Sequence, residues 1–143
     1  MPRRCMARDN CCAALKRTRE SAALLGVYHV CQALREVDPG RWRGQALSQL
    51  ARTEPEALAR WLSDPAFKGH GGKSVIESVA RLAGWMNALE PGTYSAVTHP
   101  GVIRAALLHA LGAEAQRFNR LDIAPLSCVR LSRRGHWKLL LAG

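Results

Sequence analysis

Apolar and polar positions along the chain follow two periods in turn, one fitting helices and one fitting strands. Leu15, Thr18, Ala22 and Leu25 recur at helical spacing, which predicts a helix over Leu15–Leu25 with Gly26 as its stop. Asn10–Ala14 before it reads as a weak strand, and Val27–Cys31 after it as a strand through Val, Tyr and Val. Arg35–Gly44 has Pro-Gly punctuation and no sustained period, so it is a loop. Helical spacing returns over Gln45–Ala51 and Pro55–Leu62. Ser63–Gly72, with Pro65 and three glycines, is a second loop.

Ser74 and Glu77 have the spacing of a capping box, in which each side chain accepts from the other's backbone N–H. Ile76, Val79, Leu82, Ala83, Met86 and Leu89 then form one apolar stripe, closed by Glu90-Pro91-Gly92. Thr93–Thr98 is a strand by composition and delivers His99 into a Pro-Gly turn. Val102–Leu111 is helical, with Val102, Ala105, Ala106, Leu108 and Leu111 near one face. Leu126–Leu131 and Trp137–Leu141 are apolar runs joined by Ser132-Arg133-Arg134-Gly135, the signature of a hairpin. No repeat or long linker divides the chain. Strands alternating with helices imply an α/β domain with a mainly parallel sheet.

Composition narrows the class. A chain of 143 residues with 48% hydrophobic and 22% charged residues suits one folded domain and excludes disordered, collagen-like and coiled-coil classes. No stretch approaches the roughly 18 apolar residues of a membrane span. The opening MPRRCMARDNCC lacks the apolar run of a signal peptide, so the expected location is the cytoplasm. Five cysteines, an odd count without a C-x-x-C pair, spell out neither a disulfide framework nor a zinc ribbon. The net charge of +10 favours anionic partners. The 17 arginines are spread along the chain rather than gathered in a stripe with interleaved aromatics, so nucleic acid is not the expected partner.

Ligands of open α/β sheets collect at the carboxyl ends of strands, where helix N-termini offer free N–H groups to phosphate. His99 falls at such a place, reading either as a ligand-binding residue or as a histidine packed in a turn. Arg17 and Arg19 fall in the first turns of a helix, where cations oppose the dipole. They read either as an anion grip or as solvated side chains. Gly69-His70-Gly71-Gly72-Lys73-Ser74 ends like a phosphate-binding P-loop, but Phe67 stands where that motif needs glycine and no strand leads in, so a P-loop is rejected.

Together these segments resemble the histidine phosphatase superfamily, also called phosphoglycerate mutase-like. Ala13-Ala14-Leu15-Lys16-Arg17-Thr18-Arg19-Glu20-Ser21-Ala22 resembles its S-P-L-x-R-T-R-E-T-A segment, and Leu34–Gly44 its L-x-E-x-D-F-G-x-W-E-G loop. Gly71-Gly72-Lys73-Ser74 stands for G-G-E-S, and Val97–Arg104 for V-S-H-G-G-V-I-R. The resemblance implies a three-layer α/β/α fold and hydrolysis of a phosphomonoester, a phosphorylated small molecule, through a phosphohistidine. It implies that Arg17 grips the phosphoryl group, that His99 stabilises its oxygens, and that Glu36 protonates the departing alcohol. Neither metal nor other cofactor is implied.

The family's nucleophile lies in an R-H-G at the end of its first strand, and no Arg-His-Gly occurs in these 143 residues. The expected organisation is an irregular basic segment over 1–12 followed by a partial domain over 13–143, missing the first strand and helix. Such a chain is expected to be impaired or inactive, or to be a non-catalytic phosphate binder. His70, His29, Cys11 and Cys12 are the candidates to replace the nucleophile, each more simply a loop, surface or core residue. Lys73 and Arg43, replacing family glutamates, are expected to add positive charge near the site. Removing an interior strand is expected to leave a gap between Ser95–Thr98 and Leu126–Leu131, with three outcomes: closure, pairing with another copy through exposed edges, or a recorded sequence that is part of a longer one.

Overall fold

The computed structural model of the chain describes residues 10–12, 16–24 and 29–141. Three short strands run parallel, with β1 (Asn10–Cys12) between β2 (His29–Val30) and β3 (Ser95–Val97). Cys12 stands opposite Val30 on one side and Val97 on the other. Parallel neighbours need long crossovers, and helices supply them. α1 (Lys16–Leu24) follows β1, while α2 (Leu47–Thr53), α3 (Pro55–Ser63) and α4 (Val75–Ala88) separate β2 from β3. α5 (Pro100–Leu111) follows β3, and the antiparallel pair β4 (Arg130–Arg134) and β5 (His136–Leu140) forms a second sheet. The fold is α/β, and its described sheet strands before the terminal hairpin are all parallel. No helix among the described residues is long and apolar enough to cross a membrane.

Several expectations need correction. Residues 10–12, which fall both in the segment 1–12 and in the weak strand expected over Asn10–Ala14, form the central strand of the sheet. Ala13, Ala14, Leu15 and the segment Leu25–Tyr28 lie outside the described residues. The buried stripe of α4 is Val75, Ser78, Leu82 and Met86, while Ile76 is exposed because it sits about 100° around the helix from Val75. α5 buries Gly101, Val102, Ala105, Leu107 and Leu108, and Leu111 is exposed at its end. β4 starts at Arg130, not Leu126. Leu126 adopts φ 61, outside the extended region, and Ser127 N–H donates to the Ala124 carbonyl at 3.2 Å in a turn. Ser132, Arg133 and Arg134 are strand residues, which leaves Gly135 to make the turn at φ 79. A 3₁₀ segment over Ala115–Arg120 was not expected; it buries Phe118 against Val75 and Leu108.

The core lies between α4 and α5. Leu34, Leu82, Met86, Val102 and Ala105 form it, with Leu131 and Trp137 of the hairpin packed against them. One arginine locks the hairpin on. Arg133 donates to the carbonyls of Met86 at 3.3 Å and Asn87 at 3.2 Å and to that of Leu89, all at the C-terminal end of α4. Its guanidinium also lies over the Trp137 ring, 5.1 Å from the centroid.

At the other end of α4 the capping box forms as the spacing predicts. Glu77 N–H donates to Ser74 Oγ at 3.1 Å, and Ser74 N–H donates to Glu77 Oε2 at 2.8 Å. That backbone bond, and then the ammonium of Lys68 at 3.0 Å, hold the Glu77 carboxyl down to about 2. A carboxylate depressed in the fold contributes stability that is present above its ordinary value of 4.5 and lost as pH falls toward about 2. Ser74→Ala should therefore cost about 1 kcal/mol in urea unfolding at pH 7. In Glu77→Gln the fall in unfolding midpoint between about pH 4.5 and pH 2 should be shallower than in the unsubstituted protein; an equally steep fall would remove Glu77 as a source of acid sensitivity.

Candidate active site

The site grows from the register of the sheet. β1 and β3 are parallel neighbours, so their carboxyl ends and the helices that follow open on the same edge. α1 brings Arg17 and Arg19 in its first turn. His99, two residues beyond β3, is the N-cap of α5. The proline that follows it disfavours helical geometry at His99, which is extended at φ −106 and ψ 157, and Pro100 itself is suited to the first helical position. His99 is buried, with 2% of its surface exposed. Its carbonyl accepts from Val102 and Ile103 N–H at 3.0 and 3.1 Å, starting the helix.

Glu36 reaches the same place by a different route. The loop that carries it is held through two successive carbonyls. Thr98 Oγ1 donates to Leu34 O at 2.7 Å, and the guanidinium of Arg81, from α4, donates to Arg35 O. Leu34 is itself a core residue, so the loop is anchored from inside. Val37 N–H then fixes one carboxylate oxygen, Glu36 Oε1, at 2.9 Å. That oxygen lies against Gly101 in the first turn of α5, where a Cβ would meet it at 2.3 Å. A glycine at this point is thus required for the carboxylate to lie beside the residue that follows His99-Pro100. Glu36 is thus seated against the first turn of the helix that His99 caps, and Arg17 lies on α1, which follows the neighbouring strand β1.

A second loop frames this one. Arg41 N–H donates to His70 O and Lys73 N–H to Asp38 O, both at 2.9 Å, which joins 38–41 to 70–73 as a short ladder. The backbones approach so closely that a Cβ on Gly40 would lie 2.1 Å from His70 O, and one on Gly72 2.1 Å from Asp38 O. Asp38 Oδ1 accepts from Gly40 N–H at 3.0 Å and pairs with Arg43 at 3.1 Å, and these bonds hold its carboxyl below the usual range. Lys73 and Lys68 both reach Glu77, at 3.8 and 3.0 Å. The extra cations expected to charge the site are therefore paired locally.

His70 departs most from expectation. Its glycine-rich neighbours predict an open loop, but it is 2% exposed and packed edge-on to Trp42 and Phe67, with centroids 5.1 and 5.5 Å apart. Its Nδ1 accepts from Gly72 N–H at 2.9 Å, so the neutral ring carries its proton on Nε2, which has no partner among the described residues. Burial first, and then the Arg41 charge, lower its pKa, with Asp38 opposing. This is a structural histidine. His29 lies exposed on β2, and Cys11 and Cys12 lie in β1. Sequence reading missed Arg81, Thr98 and Gly101 as positioning residues. Gly101 and Thr98 flank the His-Pro pair in sequence and could have been suspected; Arg81 sits among helix residues with nothing local to mark it.

With this geometry in place, comparison identifies the class. The sequence model of the histidine phosphatase superfamily (branch 1) matches residues 4–142. The chain belongs to that superfamily. It is similar to the glucosyl-3-phosphoglycerate phosphatase of Mycobacterium tuberculosis, 32% identical over 141 residues that cover 86% of this chain and 62% of the relative. It is also 32% identical over 106 residues to a bifunctional protein of the same organism, covering 70% of this chain and 29% of that protein. The solved complex of the mycobacterial glucosyl-3-phosphoglycerate phosphatase with inorganic phosphate superposes with a TM-score of 0.78 at 25% identity, covering 94% of this chain and 76% of that one. The chain thus spans under two thirds of the length of these curated relatives.

A histidine whose pKa is lowered in the fold contributes stability that is present above its ordinary value of 6.5 and declines as pH drops below it, because the unfolded chain takes up the proton first. The urea midpoint should fall between about pH 7.5 and 5.5, and fall less in His70→Asn, whose amide oxygen can stand in for Nδ1. Equal slopes would mean that His70 is not the group responsible.

Proposed function

We propose that the chain handles phosphomonoesters at the edge where α1 and α5 begin, with Arg17 and His99 holding the phosphoryl group and Glu36 as the proton donor to the leaving alcohol. The observation that carries this reading is the seating of the Glu36 carboxylate on Gly101, beside the buried His99 at the N-terminus of a twelve-residue helix. A helix N-terminus offers free N–H groups and a positive dipole end to an oxyanion. A guanidinium adds a bidentate fork. A carboxyl group beside them is placed to protonate an ester oxygen as its bond to phosphorus breaks. The phosphate complex of the mycobacterial relative supports the ligand class.

The route by which family members hydrolyse such esters needs a nucleophilic histidine in an Arg-His-Gly, and these 143 residues contain none. In this reading the chain by itself binds the phosphoryl group and turns over little. Cys11, Cys12, His29 and His70 are not proposed as substitutes; a nucleophile must stand about 3 Å from phosphorus and in line, and His70 is packed between aromatic rings. The substrate is a phosphorylated small molecule; the carbon skeleton is left to the loops around the site.

Isothermal titration with inorganic phosphate and with vanadate tests the reading. Binding should weaken at least about tenfold in Arg17→Ala, the loss expected for one charge-assisted fork. Hydrolysis of p-nitrophenyl phosphate should stay at background. No binding by either protein would sink the site. Robust turnover abolished by His99→Asn would sink the claim that the chain alone is catalytically silent.

A further inference from the structure

The two faces of the terminal hairpin differ in kind. Leu131 and Trp137 pack on the core, and Arg133 is tied to the end of α4. The other face carries Arg130, Ser132, Arg134, His136, Lys138 and Leu140, all exposed. Register places Lys138 opposite Ser132 and His136 opposite Arg134. Outward side chains on one strand are about 6.8 Å apart, and Lys138 is the diagonal neighbour of both Arg130 and Arg134.

Like charges so arranged repel, and no ion pair offsets them among the described residues. No Asp or Glu follows Asp122 in the sequence. Ion pairs such as Arg43 with Asp38 and Arg104 with Asp122 lie elsewhere in the chain. Elsewhere Arg41, Arg43, Lys68, Lys73 and Arg104 each meet a carboxylate; Arg130, Arg134 and Lys138 meet none among the described residues. The arginines look scattered along the sequence, but strand alternation and pairing gather these three cations on one rigid ribbon.

We propose that this face docks duplex DNA through its phosphates. Its chemistry selects that partner over others. It presents guanidinium forks, an ammonium and a hydroxyl, the donors that phosphate oxygens accept. Its one apolar side chain, Leu140, lies at the end of the ribbon, so it lacks the apolar anchors through which protein partners dock. It has no Phe, Tyr or Trp on which bases of a single strand would stack. The major groove of B-form DNA admits a two-stranded ribbon between its phosphate rows, whereas that of an A-form RNA duplex is too narrow. Contacts to phosphate carry no sequence information, so binding is sequence-independent and separate from the phosphomonoester site.

Fluorescence anisotropy with the full chain and a labelled duplex of about 20 bp, over about 50 to 200 mM salt, tests the proposal. The triple variant Arg130→Gln/Arg134→Gln/Lys138→Gln should bind at least about tenfold more weakly at the lowest salt. Its slope of log affinity against log salt should be smaller by about 2.7, for three lost phosphate contacts. Arg52→Gln/Arg117→Gln/Arg120→Gln, with the same change in net charge, should leave the slope nearly unaltered. Should the hairpin triple unfold by circular dichroism, Ser132→Glu provides the test, placing an acid among the three cations and weakening binding likewise. Absence of binding at the lowest salt overturns the proposal. Equal loss in both triples, or tighter binding to an RNA duplex, to polyglutamate or to phosphatidylserine vesicles, overturns it as well.

Discussion

The pairing of Cys12 with Val97 across two parallel strands is the constraint from which the site follows. Strand direction decides where a following helix begins, and two parallel strands side by side give two helices that begin on one edge. Arg17 and His99 are 82 positions apart in sequence, yet the register leaves them five and two residues past the ends of adjacent strands. Had β1 and β3 run antiparallel, the same residues would open on opposite ends of the sheet. Backbone ladder bonds thus do for this pair what no side-chain contact needs to do.

Glu36 has no such strand behind it, and its placement shows a second way of building a site. Its loop is lashed through main-chain carbonyls at Leu34 and Arg35 by side chains from β3's extension and from α4. Carbonyl anchors fix backbone position regardless of which side chain the loop carries. The loop ladder at 38–41 and 70–73 continues the same logic with glycines, whose missing Cβ atoms allow main chains to touch. Charge plays a small part in holding these loops; the cations there mostly neutralise carboxylates beside them.

Legibility in the sequence tracked the range of the interaction. The capping box at Ser74 and Glu77 and the helix after it are decided within a few residues and were readable, whereas Pro100 and Gly101, expected as a turn, are the first helical residues of α5. α2 and α3 also lie where the helical spacing put them, to within two residues. Family resemblance pointed to Glu36 and His99; the Glu36 carboxylate is seated against Gly101, two residues past His99. What was not readable depends on partners far along the chain. His70 has the sequence neighbourhood of an open loop and becomes core only because Trp42 and Phe67 close on it. The hairpin begins four residues later than its apolar run because Leu126 turns through a left-handed conformation that composition does not announce. Arg81 and Arg133 look like ordinary helix and strand cations until the carbonyls they reach, 46 and up to 47 residues away, are known.

The fate of the positive charge follows from the same distinction. A guanidinium can be spent on a carboxylate, on a cluster of carbonyls or on nothing in the chain, and these three fates differ in consequence. Pairs such as Arg43 with Asp38 add little stability at an exposed surface but remove local field from the site. Arg133, with three carbonyls and an aromatic face, acts as packing as much as charge, since its carbonyl acceptors and the ring fix its geometry. The cations of the outer hairpin face receive neither kind of partner among the described residues, although the strands they sit on pack against the core through Leu131 and Trp137. Net charge of +10 is therefore not a uniform property of this protein. It is neutralised around the loops that carry Glu36 and His70, used structurally at the end of α4, and met by no carboxylate among the described residues on the outer face of the hairpin.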